Sequence, residues 1–393
     1  MLSSFCDLKI LDFTSLLPGP FATMILADLG AEVVKIESAS RPDMTRGLPP
    51  FQKEKSALHA FLNRSKQSLS LDLKNPEAKE IILRLLAQYD IIVEGFRPGV
   101  MTKLGLDYDS LRTVNPRLIY CSISGYGQTG PLRERAGHDI NYLALSGLAS
   151  YSGSKETGPV LMGTQVADIA GGSYHAVMGI LAAYIHRLKT DEGQHIDISM
   201  TDCATSMNAL SAAMFLAGGK EPAIASELLN GGSAYDFYRT KDDRFFAVGS
   251  LEPQFFMAFL EVMGLTEHAA SYASGKAESI RRVKEKAQEI FLSKSFAEWR
   301  EIFHRLDACV EPVLTLGEAL QSPLAQARNL IVEVQDEAGR SFRQLRTPIQ
   351  FSQAQDFQAK AGEDLGQSSE KLLQEAGYST SEIAQLRCNR VIS

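Results

Sequence analysis

The 393-residue chain has few cysteines and no long apolar run, and each shortage excludes a class of protein. Its five cysteines, at positions 6, 121, 203, 309 and 388, are odd in number and widely spaced, so neither a disulfide framework nor a zinc site is predicted. No stretch approaches the ~20 apolar residues of a membrane-spanning helix, and the N-terminus lacks a signal-peptide core. We therefore expect a cytoplasmic protein with reduced thiols and no membrane partner.

Positive charge is not in excess either. The chain has 40 Lys and Arg against 47 Asp and Glu, and no basic run is typical of a phosphate-backbone contact, so no nucleic-acid partner is expected. A GxGxxG motif is missing after the first predicted strand, which argues against a nicotinamide or flavin dinucleotide. A local basic pocket for an anionic ligand stays possible, because such a pocket does not require a basic chain.

The N-terminal half alternates predicted strands and helices, a pattern that indicates a doubly wound, Rossmann-like parallel sheet. We predict strands at 8–13, 33–36, 68–73, 90–94, 118–124 and 193–199 and helices at 21–29, 76–88 and 173–188. A hairpin and several helices follow a glycine-bracketed linker and predict a smaller α+β domain. The predicted organisation is a large α/β domain over 1–200, a linker over 201–231, a small domain over 232–320, and a return linker with the C-terminal part of the large domain over 321–393.

Two protonatable residues of different type, His138 and Asp168, lie beside glycines. A histidine and a carboxylate have unlike reference pKa values, which suits a pair that gives and takes a proton. The pattern alone leaves two alternatives open: a structural histidine, and an aspartate that caps the helix predicted from Ser173. If Asp168 lies at that helix start, the positive helix end would help to hold its carboxylate ionised.

Glycine-rich loops follow two of the predicted strands. They are Gly95-Phe-Arg-Pro-Gly99 and Gly125-Tyr-Gly-Gln-Thr-Gly130. Ligands of open α/β sheets bind at the carboxyl ends of the strands, so these loops are the expected ligand rim.

These stretches resemble the family III CoA-transferase (CaiB/BaiF-like) superfamily over nearly the whole chain. The motifs common to the superfamily lie at 16–22, 26–37, 63–66, 95–100 and 193–199. Three further stretches are similar to its α-methylacyl-CoA racemase branch: Gly-His-Asp-Ile-Asn-Tyr at 137–142, Ser-Leu-Glu-Pro-Gln-Phe-Phe at 250–256, and Asp-Ala-Cys-Val-Glu-Pro-Val at 307–313.

The resemblance implies an interlocked homodimer and a racemase or epimerase that acts on 2-methylacyl-CoA thioesters. His138 and Asp168 would transfer the α-proton through an enolate, and Glu252 of the other chain would orient His138. Coenzyme A would enter as part of the substrate, with no prosthetic group and no metal. The implied CoA-binding residues are Leu16, Lys66, Gly95, Phe96, Arg97, Met101, Lys103 and Tyr142.

Two other functions stay open. In a family III CoA-transferase, Asp168 would attack the acyl-CoA as a covalent nucleophile, so this aspartate alone does not decide between the two reactions. The third possibility is a protein that binds CoA thioesters without catalysis. Ser38 stands where some relatives have an arginine near the adenosine phosphate, and the sequence does not specify the acyl group.

Overall fold

A computed structural model describes residues 5–353 and 358–393. Residues 1–4 of the predicted segment 1–200 and residues 354–357 of the predicted segment 321–393 lie outside the described residues. The chain forms two compact units. The first comprises Met1–Ser146, Met162–Met207 and Leu324–Ser393, and the second comprises Gly147–Leu161 and Asn208–Pro323.

The first unit is built on a six-stranded sheet in which every neighbouring pair is parallel. In chain order the strands are β1 Lys9–Asp12, β2 Glu32–Glu37, β3 Lys66–Ser70, β4 Ile91–Glu94, β5 Ile119–Ser124 and β6 His195–Ser199. Their order across the sheet is β3-β2-β1-β4-β5-β6. This is the Rossmann strand order, in which the direction of winding reverses between β1 and β4. The predicted α/β fold class is confirmed.

Helices flank the strands of this unit. They are α1 Pro18–Leu29, α2 Ala57–Leu62, α3 Pro76–Leu85, α4 Val100–Leu104, α5 Tyr108–Leu111, α6 Asp139–Leu145, α7 His175–Thr190 and α8 Met200–Ser206. The apolar residues of β1 to β5 are buried on both faces, as a parallel sheet covered by helices requires. One face packs against α3 and against two C-terminal helices, Ser369–Glu375 and Thr380–Cys388.

Several element boundaries differ from the sequence prediction. The strand predicted at 68–73 lies at Lys66–Ser70, and the first helix begins at Pro18 rather than at 21 because proline suits the first helical position. The helix predicted from Ser173 is preceded by a π-helical segment, Ala167–Tyr174, which runs directly into α7. Asp168 therefore lies in the first turn of a longer helical segment than we predicted.

The second unit has a three-stranded antiparallel sheet of Asp236–Arg239, Phe245–Val248 and Val310–Pro312. Its helices are α9 Ala209–Gly218, α10 Pro253–Met263, α11 Ala269–Ala273, α12 Ala277–Phe291, α13 Phe296–Phe303 and α14 Leu316–Gln321. An aromatic core that includes Phe246, Phe291 and Trp299 joins the sheet to α12 and α13. The chain also has a helix, Pro323–Ala327, and an antiparallel pair, Ile331–Gln335 with Ser341–Leu345. Two shorter antiparallel pairs are Phe51–Gln52 with Lys55–Ser56 and Gly153–Ser154 with Gly158–Pro159, and short 3-10 helices lie at Met44–Gly47, Leu148–Tyr151 and Thr266–His268.

Candidate active site

A cavity of about 470 Å³ lies in the first unit where the strand order reverses. The segments that follow β1, β4 and β5 line it, together with the start of α6 and the first turn of the π-helical segment. The crevice outside the carboxyl ends at such a switch point is where open α/β sheets bind ligands. Both predicted proton-transfer residues, His138 and Asp168, line this one cavity.

Asp168 does not cap its own helix. The cap is Asp139, the first residue of α6, whose Oδ1 accepts hydrogen bonds from the backbone N–H of Ala167 at 2.6 Å and of Asp168 at 3.1 Å. The structure gives the Asp168 carboxylate no hydrogen bond to any described residue, so its oxygens are available to a ligand. The alternative in which Asp168 serves only as a helix cap is therefore wrong.

His138 is the residue directly before α6. Its backbone N–H donates to Asn141 Oδ1 at 3.0 Å, and its carbonyl accepts from the Asn141 N–H at 2.8 Å. These bonds fix the main chain, and the imidazole stays exposed at the cavity. Because Asp139 is the next residue and caps the segment that carries Asp168, one short contact positions both proton-transfer residues.

The electrostatics of Asp168 differ from our expectation. Burial raises the pKa of its carboxyl to about 6, the negative charge of Asp139 adds to the rise, and the nearby His138 opposes it. Burial and a like charge therefore shift this pKa in the direction opposite to the one expected from a helix start. A carboxyl with a pKa near neutrality is suited to both accepting and returning a proton.

Tyr142 closes one side of the cavity. It is buried, its hydroxyl donates to the carbonyl of Gly137 at 2.6 Å, and its ring lies edge-on to Tyr126 with centroids 5.3 Å apart. A Cβ at Gly125 would lie 2.5 Å from the Tyr142 ring, so glycine is needed there for this close approach. Burial, with Asp168 as a second cause, raises the pKa of Tyr142 to about 12.

Five of the predicted CoA-binding residues line the cavity: Leu16, Gly95, Phe96, Arg97 and Tyr142. Within residues 5–353 and 358–393, the guanidinium of Arg97 makes no ion pair, so its charge is available to a ligand. Two further arginines that we did not predict, Arg133 and Arg135, also line the cavity. The cavity is therefore supplied with positive charge for an anionic ligand.

The other predicted residues lie elsewhere. Lys66 is buried, and its Nζ donates to Asp12 Oδ2, to the Pro20 carbonyl and to Asn63 Oδ1 at 2.9–3.0 Å, which occupies all three donors. Met101 is in the apolar core, and Lys103 is exposed on α4. Glu252 belongs to the second unit, where it is exposed at the N-cap position of α10 without a side-chain cap bond.

Two acidic residues at the site, Asp139 and Glu94, were also missed from the sequence. Glu94 ends β4 and is buried; its Oε2 accepts the Phe96 N–H at 2.8 Å and so holds the loop that lines the cavity. Burial raises the pKa of Glu94 to about 7. A local signal existed for Asp139, since it adjoins His138, but nothing local showed that it contacts a segment 28 residues away.

The described residues contain no cluster of three or more His, Cys, Asp or Glu side chains that could hold a metal ion. In the same ranges, no helix is both long and apolar enough to cross a membrane.

Comparison with known proteins agrees with this geometry. The model of CoA-transferase family III matches residues 6–368. The human protein described as alpha-methylacyl-CoA racemase is 35% identical over 389 residues, covering 98% of this chain and 96% of that protein. The Agrobacterium fabrum succinate–glutarate CoA-transferase is 33% identical, with 94% of each chain covered. A crystal structure of a CaiB/BaiF family protein from Brucella suis matches with a TM-score of 0.83 at 29% identity, covering 96% of this chain and 100% of that one.

The chain belongs to the family III CoA-transferase superfamily, and the resemblance inferred from its motifs is confirmed. It is an enzyme of that superfamily, whose relatives include both racemases and CoA-transferases.

Proposed function

We propose that the protein racemises or epimerises 2-methylacyl-CoA thioesters by moving the α-proton from one face of the α-carbon to the other. The observation that carries the proposal is that His138 and Asp168, an imidazole and a carboxyl, line one cavity. The similarity of the whole chain to a racemase supports it.

The two groups would work as an acid and a base. One removes the α-proton, the thioester becomes an enolate, and the other returns a proton to the opposite face. The roles exchange with the direction of the reaction. The pKa of Asp168, raised to about 6 by burial, lies close to that of an ordinary histidine, which favours proton exchange in both directions.

The substrate would bind through its CoA part along the carboxyl ends of β1 and β4. Leu16, Gly95, Phe96 and Tyr142 would contact the thioester, and Arg97 would meet a phosphate, since a guanidinium binds phosphate oxygens well. The buried ammonium of Lys66 supports this wall indirectly through Asp12 at the end of β1. No prosthetic group is needed for this chemistry.

We also propose an interlocked homodimer, in which Glu252 of the other chain orients His138. Support comes from α9, an apolar helix without a buried residue; Leu210, Met214 and Leu216 are 61%, 56% and 82% exposed. Contiguous apolar surface of this kind marks an interaction site. The large domain over 1–200, the small domain over 232–320 and a cytoplasmic location are part of the same proposal.

The rival function is CoA transfer between carboxylic acids, with Asp168 as nucleophile, and the similarity to a CoA-transferase supports it. The variant His138→Ala separates the two reactions. Loss of one acid/base group should slow α-proton exchange by at least ~100-fold, whereas transfer through Asp168 does not need the imidazole.

The matched control is His186→Ala, which removes an exposed imidazole on α7. Exchange and transfer should both be measured for each variant with 2-methylpropanoyl-CoA and an added carboxylate. Exchange that survives His138→Ala would contradict the proposed mechanism, and wild-type transfer without exchange would favour the rival function.

A further inference from the structure

The turn between β1 and α1 contains a leucine in an unusual backbone conformation. Leu16 has a φ of +66°, in the left-handed region that glycine adopts freely and that a branched side chain disfavours. Its side chain is 40% exposed and lines the cavity, so core packing does not explain the conformation. Strained backbone of this kind persists where surrounding contacts enforce it, and it occurs preferentially at ligand-binding sites.

The enforcing contacts come from a buried ion pair. Lys35 of β2 and Asp43 have side chains that are 2% and 0% exposed, with Nζ and Oδ2 2.9 Å apart. Lys35 Nζ also donates to the carbonyl of Thr14 at 2.6 Å, and Asp43 Oδ1 accepts the Leu16 N–H at 3.3 Å. The pair therefore holds the main chain on both sides of Ser15.

Stability alone does not explain such a pair. Replacing a buried ion pair with uncharged residues of similar size is often neutral or stabilising, because both charges lose their hydration. The pair is attached to a strained turn at the cavity wall. We propose that Lys35 and Asp43 are positioning residues that hold the Ser15–Leu16 turn in the shape that binds the CoA thioester, a role that rests on the proposed function.

The test uses the full-length double variant K35M/D43N, which removes both charges and the Lys35 bond to the Thr14 carbonyl. The amide oxygen at position 43 still accepts from Thr45 and from the Leu16 N–H, so the loss is confined to the charges and to the Thr14 side of the turn. The matched control is R64M/D28N, at a buried ion pair of the same unit that does not line the cavity. Binding of 2-methylpropanoyl-CoA is measured by calorimetry, and hydrogen exchange of the peptide over 14–18 reports the turn without any ligand. K35M/D43N should weaken binding at least tenfold and speed exchange in that peptide, and the control should do neither.

A double-mutant cycle that combines K35M/D43N with Leu16→Gly distinguishes positioning of the turn from a general structural effect. Glycine frees the turn, so L16G alone should weaken binding, and adding it to K35M/D43N should weaken binding little further. The positioning role would be overturned if the K35M/D43N protein folds and binds with wild-type affinity. It would also be overturned if the losses of affinity caused by K35M/D43N and by L16G simply multiply when the two changes are combined. Wild-type protein that binds no CoA thioester would instead overturn the proposed function, and the positioning role with it.

Discussion

Replacing Asp168 with asparagine should stabilise the protein while abolishing its activity. The carboxyl makes no hydrogen bond to a described residue, so the amide loses no bonded partner. Burial, with the charge of Asp139, raises the pKa of Asp168 from 3.8 to about 6. Folding therefore favours the protonated form: this stabilising contribution is present below pH ~3.8 and is lost as the pH rises through about 6.

The magnitude follows from the size of this rise. About two pH units at ~1.4 kcal/mol each set an upper limit of about 3 kcal/mol for the cost of ionised Asp168 at pH 7. The side chain is only partly buried, so solvent screening reduces the expected gain to about 1–2 kcal/mol.

Urea denaturation at pH 7 and at pH 4 measures the effect. At pH 7 the Asp168→Asn variant should unfold at a higher urea concentration than the wild type. At pH 4 the two proteins should unfold at nearly the same urea concentration. Asp109→Asn, at an exposed carboxylate that pairs with Arg112 on the surface, serves as the control and should stay within about 0.5 kcal/mol at both pH values. A gain equal at both pH values, or no gain at pH 7, would refute the argument.

Three further changes test the site. Asp139→Asn keeps an acceptor for the two backbone N–H groups but removes a negative charge. The pH–rate profile should therefore show the apparent pKa of Asp168 lowered by about half to one unit. A raised apparent pKa would contradict this. Gly19→Ala would place a Cβ 2.3 Å from Thr14 and should cost about 1–3 kcal/mol in urea denaturation; wild-type stability would show that the turn adapts freely. Burial raises the pKa of Glu94 to about 7, so its ionised form destabilises the folded protein above that pH. Glu94→Gln should therefore stabilise the protein at pH 8 but not at pH 4. An equal effect on stability at both pH values would contradict this.

The sequence predicted the sheet well because its strands are short apolar runs with helices between them. The third strand was predicted to begin at Ser68 and begins at Lys66, a charged residue that is nevertheless buried. Lys66 is paired with Asp12, 54 residues earlier in the chain. A local pattern cannot show that a distant partner permits such burial, so the prediction left Lys66 outside the strand.

The same limit applies to the site. His138 and Asp168 were identified from motifs, and the structure brings them to one cavity. Asp139, which caps the segment of Asp168 and raises its pKa, was not identified, because the capping contact joins two separate segments. Local propensity likewise indicated an α-helix from Ser173 and did not predict the π-helical segment Ala167–Tyr174 before it.

The central claim is α-proton transfer, and deuterium exchange tests it most directly. The pure protein is incubated with a (2R)-2-methylacyl-CoA in deuterated water, and the product is read by NMR and mass spectrometry. We predict deuterium at the α-carbon together with loss of stereochemical purity, both abolished by Asp168→Ala and by His138→Ala. CoA passed to an added carboxylate without any α-deuterium would contradict it and would identify a CoA-transferase.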